Sequence, residues 1–229
     1  MIKDNIILFK ERILSLCNKL GRDVREITII GVTKYSQIED VRTAIESGID
    51  HIGENRVQDV QKKFEQLSLE GLRFKRHMIG HLQSNKVKKS LEFFDLIQSV
   101  DSYKLAQEIS KYSRNLNKIT EVLIQINTSG ELQKFGIEKS KGLLLIEQIS
   151  ELENIQIQGL MTIAPFTDDR EIIRNCFRDL RIIRDKVDEF LSSKPNVEMK
   201  YLSMGMTDDF ELALEEGSNM VRIGRAIFK

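Results

Sequence analysis

The sequence predicts an α/β fold, a single (β/α)8 barrel of the TIM type with one extra helix at its N-terminus, filling residues 1–229 as one domain. Three observations carry that expectation. Short apolar, β-branched runs alternate eight times with longer amphipathic segments, and parallel strands joined by helical crossovers are what such alternation builds. The first run passes from Gly31 into Val32-Thr33-Lys34 without the glycine-rich turn of a doubly wound dinucleotide-binding sheet. A length of 229 residues suits one α/β barrel, and no low-complexity stretch, Pro/Gly/Ser linker or internal repeat marks a second unit.

The elements follow in order. Ile2, Ile6, Leu8, Phe9, Ile13, Leu16, Cys17 and Leu20 recur at helical spacing and Gly21 closes them, which makes 2–20 an opening helix. Ile27-Thr28-Ile29-Ile30-Gly31-Val32-Thr33 is the first strand, and a helix near 37–47 ends at Gly48. Strands are then expected at 51–53, 77–80, 96–100, 122–127, 157–161, 201–204 and 221–224. Between them fall helices near 54–68, 84–92, 102–115, 139–151, 169–192 and 208–216. In the longest of these, Ile172, Ile173, Cys176, Phe177, Leu180 and Ile183 form a stripe that packs on the barrel rather than a cofactor box.

Composition narrows the function classes. Thirty-five Lys and Arg balance thirty-five Asp and Glu, so no global field exists to hold a polyanion, and no nucleic-acid partner is expected. The basic cluster Lys86, Lys88 and Lys89 lacks interleaved aromatics and reads as a solvated helix face. A hydrophobic content of 41% with 31% charged residues and two Pro excludes disordered and fibrous classes. No apolar run approaches the roughly 18 residues of a membrane span, and Met1-Ile2-Lys3-Asp4-Asn5 does not open a signal peptide, so no membrane partner and a cytoplasmic location are expected. Cys17 and Cys176 are expected as two buried thiols in a reducing compartment, and the three His have no ligand-like spacing, so no metal site is expected.

In a barrel of this kind the chemistry collects where strands end. That rule selects Lys34, Asn55, His81, Asn127, Thr162, Ser203 and Arg222, and it sets His51 and His77, which begin their strands, at the opposite face. Lys34 is the most informative: an ammonium at the mouth of an apolar barrel is costly unless paired or neutral, and a lysine in that setting suits Schiff-base chemistry. The competing reading is a lysine that snorkels to solvent. The second signal is Ser203-Met204-Gly205-Met206-Thr207 with Gly224-Arg225, where glycines admit backbone N–H groups to an anion and hydroxyls stand beside them. An ordinary Gly turn with Thr207 as helix N-cap explains the first half alone. His81, among Gln83, Asn85 and Lys86, reads as a solvated loop residue rather than a proton shuttle. An amine facing a phosphate cradle calls for a ligand with a carbonyl at one end and a phosphate at the other; pyridoxal 5′-phosphate and sugar phosphates both qualify.

At these residues the chain resembles the pyridoxal-phosphate homeostasis proteins, which share the barrel of bacterial alanine racemase. The matching motifs are Gly31-Val32-Thr33-Lys34, Gly53-Glu54-Asn55-Arg56-Val57-Gln58-Asp59, His77-Met78-Ile79-Gly80-His81-Leu82-Gln83-Ser84-Asn85-Lys86, Gly159-Leu160-Met161-Thr162-Ile163-Ala164-Pro165, Ser203-Met204-Gly205-Met206-Thr207-Asp208-Asp209 and Val221-Arg222-Ile223-Gly224-Arg225-Ala226-Ile227-Phe228. The resemblance implies that Lys34 carries pyridoxal 5′-phosphate as a Schiff base. It implies that Ser203, Thr207, Gly224 and Arg225 hold the phosphate, the last two through backbone N–H groups, and that Arg222 faces the pyridine nitrogen. Asn55 and Met161 are placed beside the cofactor. It further implies a binding, buffering and delivery role in amino-acid and keto-acid balance, without an accepted catalytic activity or catalytic residue. Apo forms of pyridoxal-phosphate enzymes are the implied partners, and a monomer is expected.

Two departures stand out. Arg56 follows Asn55 where the family commonly has tyrosine, and Lys229 ends the sequence directly after Phe228 where the family continues. The sequence ends with the barrel, so the second domain that supplies the opposite-face acid/base of alanine racemase is not expected. Two other readings stay open on the residues alone: a one-domain, racemase-like pyridoxal-phosphate enzyme, and a Schiff-base aldolase of sugar phosphates.

Overall fold

The computed structural model describes residues 1–131 and 133–229, with Asp59 described by its backbone alone. In chain order its strands are β1 (Thr28–Val32), β2 (His51–Glu54), β3 (Lys75–Met78), β4 (Leu96–Val100), β5 (Thr120–Asn127), the two-residue β6 (Ile137–Glu138), β7 (Ile155–Met161), β8 (Val197–Ser203) and β9 (Met220–Ile223). Every pairing is parallel. β1 bonds to β2 on one side and β9 on the other, and β4 bonds to β5, so eight strands form a ring with no free edge. Among the described residues β6 pairs only with the end of β5.

Helices α1 (Ile2–Leu20), α2 (Ile38–Glu46), α3 (Gln61–Leu69), α4 (Val87–Phe93), α5 (Tyr103–Asn115), α6 (Gly142–Ser150), α7 (Arg170–Leu191), α8 (Phe210–Glu215) and α9 (Arg225–Phe228) surround the ring. The extra helix α1 buries Ile6, Phe9, Ile13 and Cys17, and its Phe9 ring meets Phe210 of α8 at 4.9 Å between centroids. Side chains alternate along each strand between the helix layer and the lumen. The lumen therefore has its own small apolar cluster of Ile30, Leu96, Leu123, Met161 and Met220, separate from the large core between ring and helices.

The eight-fold alternation and the opening helix stand as the sequence implies, and the differences are two short unexpected elements, β6 and α9, and shifted boundaries. β3 starts at Lys75, two residues before the expected onset, because Lys75 meets Glu121 at 3.0 Å and Arg76 meets Asp95 at 2.6 Å, so charges that read as loop are neutralised at the strand's entrance. His77 consequently sits inside the lumen, fully buried, rather than on the lower face; His51 does begin β2 there. Residues 55–60 form a loop with one 3-10 turn, so α3 begins at Gln61 rather than 54. On α7, Ile173, Cys176, Phe177 and Leu180 are buried as expected, whereas Ile172 is half exposed. Cys17 and Cys176 are free and buried. Among the described residues no helix is long and apolar enough to cross a membrane, and no group of three potential ligands converges as a metal site would require.

Candidate functional site

The loops after β1, β8 and β9 meet at one mouth of the barrel around a cavity of about 350 Å³. Of the eight cofactor-binding candidates, Lys34, Thr207, Arg222, Gly224 and Arg225 line it; Asn55, Met161 and Ser203 do not. The lining has more cationic than acidic side chains: Lys34, Arg222, Arg225 and Lys229 against Asp40 and Asp208. An anionic ligand suits that balance.

Lys34 lies two residues beyond the end of β1. Its side chain is exposed, with Nζ 5.1 Å from the centroid of the Tyr35 ring. The ammonium is thus exposed and not ion-paired among the described residues. Just before it, Thr33 donates its hydroxyl to Glu54 Oε1 at 2.7 Å. Lys63 Nζ reaches the same carboxylate oxygen at 2.7 Å and the Thr33 carbonyl at 3.0 Å. This buried triad ties the ends of β1 and β2 to α3 directly beneath Lys34.

Arg222 is the opposite case, a guanidinium only 4% exposed. One terminal nitrogen donates to Ser203 Oγ at 2.7 Å and the other to the Thr162 carbonyl at 2.8 Å. Burial lowers its pKa to about 10, with the nearby Asp209 carboxylate opposing, so it stays charged at neutral pH. A guanidinium has five N–H donors and no acceptor, and with two donors engaged the remainder is available where the residue borders the cavity. Asp209 is itself buried, and burial raises its carboxyl above the usual range while the Met206 N–H, bonded at 2.5 Å, and Arg222 pull it back.

The two readings of Thr207 separate here. Asp209, not Thr207, occupies the cap position of α8. Thr207 Oγ1 instead accepts from the Ala226 N–H at 3.5 Å. The N–H groups of Gly224 and Arg225 have no acceptor among the described residues, and a Cβ built at Gly224 meets nothing nearer than Val32 at 3.7 Å. Gly205 has a different reason to be glycine: its φ is +96°, and a Cβ there would come 2.6 Å from Ala213 Cβ. It packs against α8 and does not border the cavity. The Arg225 side chain pairs with Asp208 at the exposed rim of the cavity.

The remaining candidates lie deeper or across the mouth. Ser203 is fully buried and serves Arg222, and Met161 fills the lumen's apolar cluster. Asn55 faces a second mouth cavity with Arg56, His81 and Lys86, where the His81 ring stacks on Phe135 at 4.0 Å and its Nδ1 lies 3.6 Å from Asp101. Gly80 fits against the Asn55 backbone, where a Cβ would stand 2.4 Å from the Asn55 carbonyl oxygen. Asn127 organises the loop after β5 through its side-chain bonds to Ser129 and the Glu131 carbonyl. Sequence reasoning missed Asp209, Thr162 as carbonyl partner, the Glu54–Lys63 pair and the lumen residues Gln98 and His77. For Glu54, His77 and Gln98 the only signal was a polar residue within a strand; Asp209, Lys63 and Thr162 lie outside the strands and carried none for these roles.

The donor set fits pyridoxal 5′-phosphate: an exposed primary amine for a carbonyl, free N–H groups and a hydroxyl for a phosphate, and a donor-only guanidinium for a ring nitrogen. The comparisons with known proteins point the same way. Residues 17–229 match the family described as "Alanine racemase, N-terminal domain". The pyridoxal phosphate homeostasis protein of Aquifex aeolicus is 41% identical over 218 residues, covering 95% of this chain and 93% of that one. Two solved structures superpose over nearly the whole chain. An unknown protein from Bifidobacterium adolescentis has a TM-score of 0.93 at 36% identity, covering 99% of this chain and 94% of that one. PipY of Synechococcus elongatus, solved with pyridoxal phosphate bound, has a TM-score of 0.84 at 28% identity, covering 100% of both chains. With a homologue above 40% identity matched end to end and the same motifs gathered on one barrel mouth, the chain belongs to the pyridoxal phosphate homeostasis protein family.

Proposed function

We propose that this protein binds pyridoxal 5′-phosphate at the mouth cavity, as a Schiff base on Lys34, and that it keeps the intracellular cofactor available rather than turning over a substrate. The observation that carries this reading is the convergence of Lys34, Arg222 and the free N–H groups of Gly224 and Arg225 on one cavity. Bound cofactor supplies an aldehyde that captures amines and a ring that draws off electrons. Arg222 tempers the second property: a charged group without an acceptor favours an unprotonated ring nitrogen, which weakens the electron sink and suits storage more than catalysis. Thr207 and the two backbone N–H groups hold the phosphate, Ser203 acting through Arg222.

Exposure of Lys34 leaves the linkage within reach of solvent amines, as delivery to apo forms of pyridoxal-phosphate enzymes requires. The protein is taken as a cytoplasmic monomer with neither nucleic-acid nor membrane partners, in keeping with its zero formal charge and free thiols.

The test loads the protein with cofactor, adds a phosphatase that destroys the free form, and then adds an apo pyridoxal-phosphate enzyme. The expected result is reconstitution of the recipient under conditions where free cofactor fails, with no amino-acid turnover above that of free cofactor. Loss of the cofactor to the phosphatase at the rate of a free control, or sustained racemisation or transamination, overturns the reading.

A further inference from the structure

Arg222 is one end of a line of hydrogen bonds that threads the lumen from the mouth to the lower face. It donates to Ser203 Oγ at 2.7 Å; Ser203 lies 2.6 Å from Gln98 Oε1; Gln98 Nε2 lies 3.0 Å from His77 Nδ1; and His77 Nε2 lies 2.9 Å from His51 Nδ1. Ser203, Gln98 and His77 have no solvent exposure. His51 borders a lower cavity of about 610 Å³ beside α1.

The direction of every bond follows from the first. Arginine only donates, so Ser203 Oγ accepts there and has its own hydrogen left for Gln98 Oε1. That fixes the amide: Nε2 faces His77 and Met220, with one hydrogen for His77 Nδ1 and the other for Met220 Sδ at 3.3 Å. His77 Nδ1 must then be bare, its proton sits on Nε2, and His51 Nδ1 accepts it. All donors point from the mouth toward the lower face. Reversal would require a new tautomer at His77 and an inverted amide at Gln98 whose oxygen faces a thioether. It would also leave Ser203 Oγ with two donors and an orphaned hydrogen, because Arg222 cannot accept. A proton on His51 Nδ1 would oppose N–H to N–H across 2.9 Å, so the line holds His51 neutral. The charged groups around His51 are Asp50, Lys75 on β3, and Lys10, Glu11 and Arg25 at the lower cavity.

We propose that Gln98 and His77 are positioning residues for Arg222, forming with Ser203 and His51 a one-directional relay that couples the cofactor-facing guanidinium to the lower cavity. The coupling rests on the cofactor reading above; the direction of the relay does not.

The test uses full-length protein with ¹⁵N-labelled histidine. In the ligand-free protein the expected ring pattern is a bare Nδ1 and a protonated Nε2 for His77; the opposite tautomer or a doubly protonated ring overturns the relay, whether or not any cofactor binds. Adding pyridoxal 5′-phosphate is expected to shift the His77 and His51 ring signals, although neither borders the upper cavity. Gln98→Met is expected to weaken cofactor binding about fivefold, the worth of the one neutral hydrogen bond that orients Ser203 behind Arg222, and to move the visible band of the bound form. Gln98→Glu, which still accepts from Ser203, is expected to restore affinity and to drive a proton onto His77 Nδ1. Unmoved histidine signals on cofactor binding, or wild-type affinity and spectrum in Gln98→Met, overturn the coupling. A protein that binds no cofactor overturns the functional reading and the coupling with it, while the tautomer result still stands or falls alone.

Discussion

Replacing Lys63 by Met isolates the group that holds the end of β1 in place. The Glu54 side chain is 2% exposed and that of Lys63 15% exposed, so their 2.7 Å contact is screened little by solvent. Met conserves the length of the side chain and removes the ammonium. The carboxylate is then left in the interior with only the Thr33 hydroxyl, and the Thr33 carbonyl keeps only the Ser36 N–H. Breaking one side of a buried pair costs about 3–5 kcal/mol. In a domain of this size about 2–4 °C of melting temperature is lost per kcal/mol, so a fall of roughly 6–20 °C is expected. Removing both charges, as Glu54→Gln with Lys63→Met, should recover most of the loss, because the uncompensated charge is gone. The assay is thermal unfolding followed by circular dichroism, with the exposed pair Arg114–Glu153 as a control whose removal leaves the midpoint unchanged. A Lys63→Met midpoint within about 2 °C of wild type, equivalent to less than about 1 kcal/mol, would refute the reasoning.

Stability should also fall as pH drops below 6.5, the ordinary histidine value. Burial holds His77 far below it, and holds half-buried His51 below it to a lesser degree, so the unfolded chain takes up protons that the folded one refuses. Above that pH the contribution is constant; below it about 1.4 kcal/mol per pH unit is lost for a fully excluded proton. Urea midpoints measured across this window check it, and a flat profile in wild type or an unchanged slope in His77→Gln counts against it. Gly205→Ala should destabilise by about 1–3 kcal/mol from backbone strain alone, with the Ala213 clash adding to it. Chemical denaturation reads this directly, and a neutral variant would mean the loop after β8 does not hold the conformation described.

The parts of the fold that were legible in the sequence are those with a local period. Ile27 to Thr33 declares a strand by its β-branched run, and Ile173, Cys176, Phe177 and Leu180 declare a helix face. β3 was misplaced because its first two residues, Lys75 and Arg76, carry charges whose partners Glu121 and Asp95 come from other strands or loops. No periodicity could mark them. The same slip put His77 on the wrong face and concealed the lumen relay. Gln98 is separated from Ser203 by 105 positions and from His77 by 21, and only closure of the ring brings them together.

At the site, the glycine-and-hydroxyl pattern added Thr207, Gly224 and Arg225 to the Lys34 and Arg222 that the strand-end rule selects, and all five border one cavity. Neither distinguished residues that border the cavity from those one layer beneath. Ser203 and Met161 end their strands in register with one another yet face the interior. Gly205 looked like an anion approach because a glycine's purpose, backbone angle or open space, is set by neighbours such as Ala213 that adjoin it only in three dimensions.

The account turns on one bond, between Lys34 and the carbonyl carbon of pyridoxal 5′-phosphate. Borohydride reduction of the cofactor-incubated protein, with the visible spectrum taken before and after and the peptides mapped by mass, reads that bond directly. The predicted result is a yellow band that bleaches on reduction and a phosphopyridoxyl adduct on Lys34 alone, absent in Lys34→Ala. No band with no adduct at Lys34, or adducts scattered over surface lysines such as Lys88 and Lys89, would contradict it.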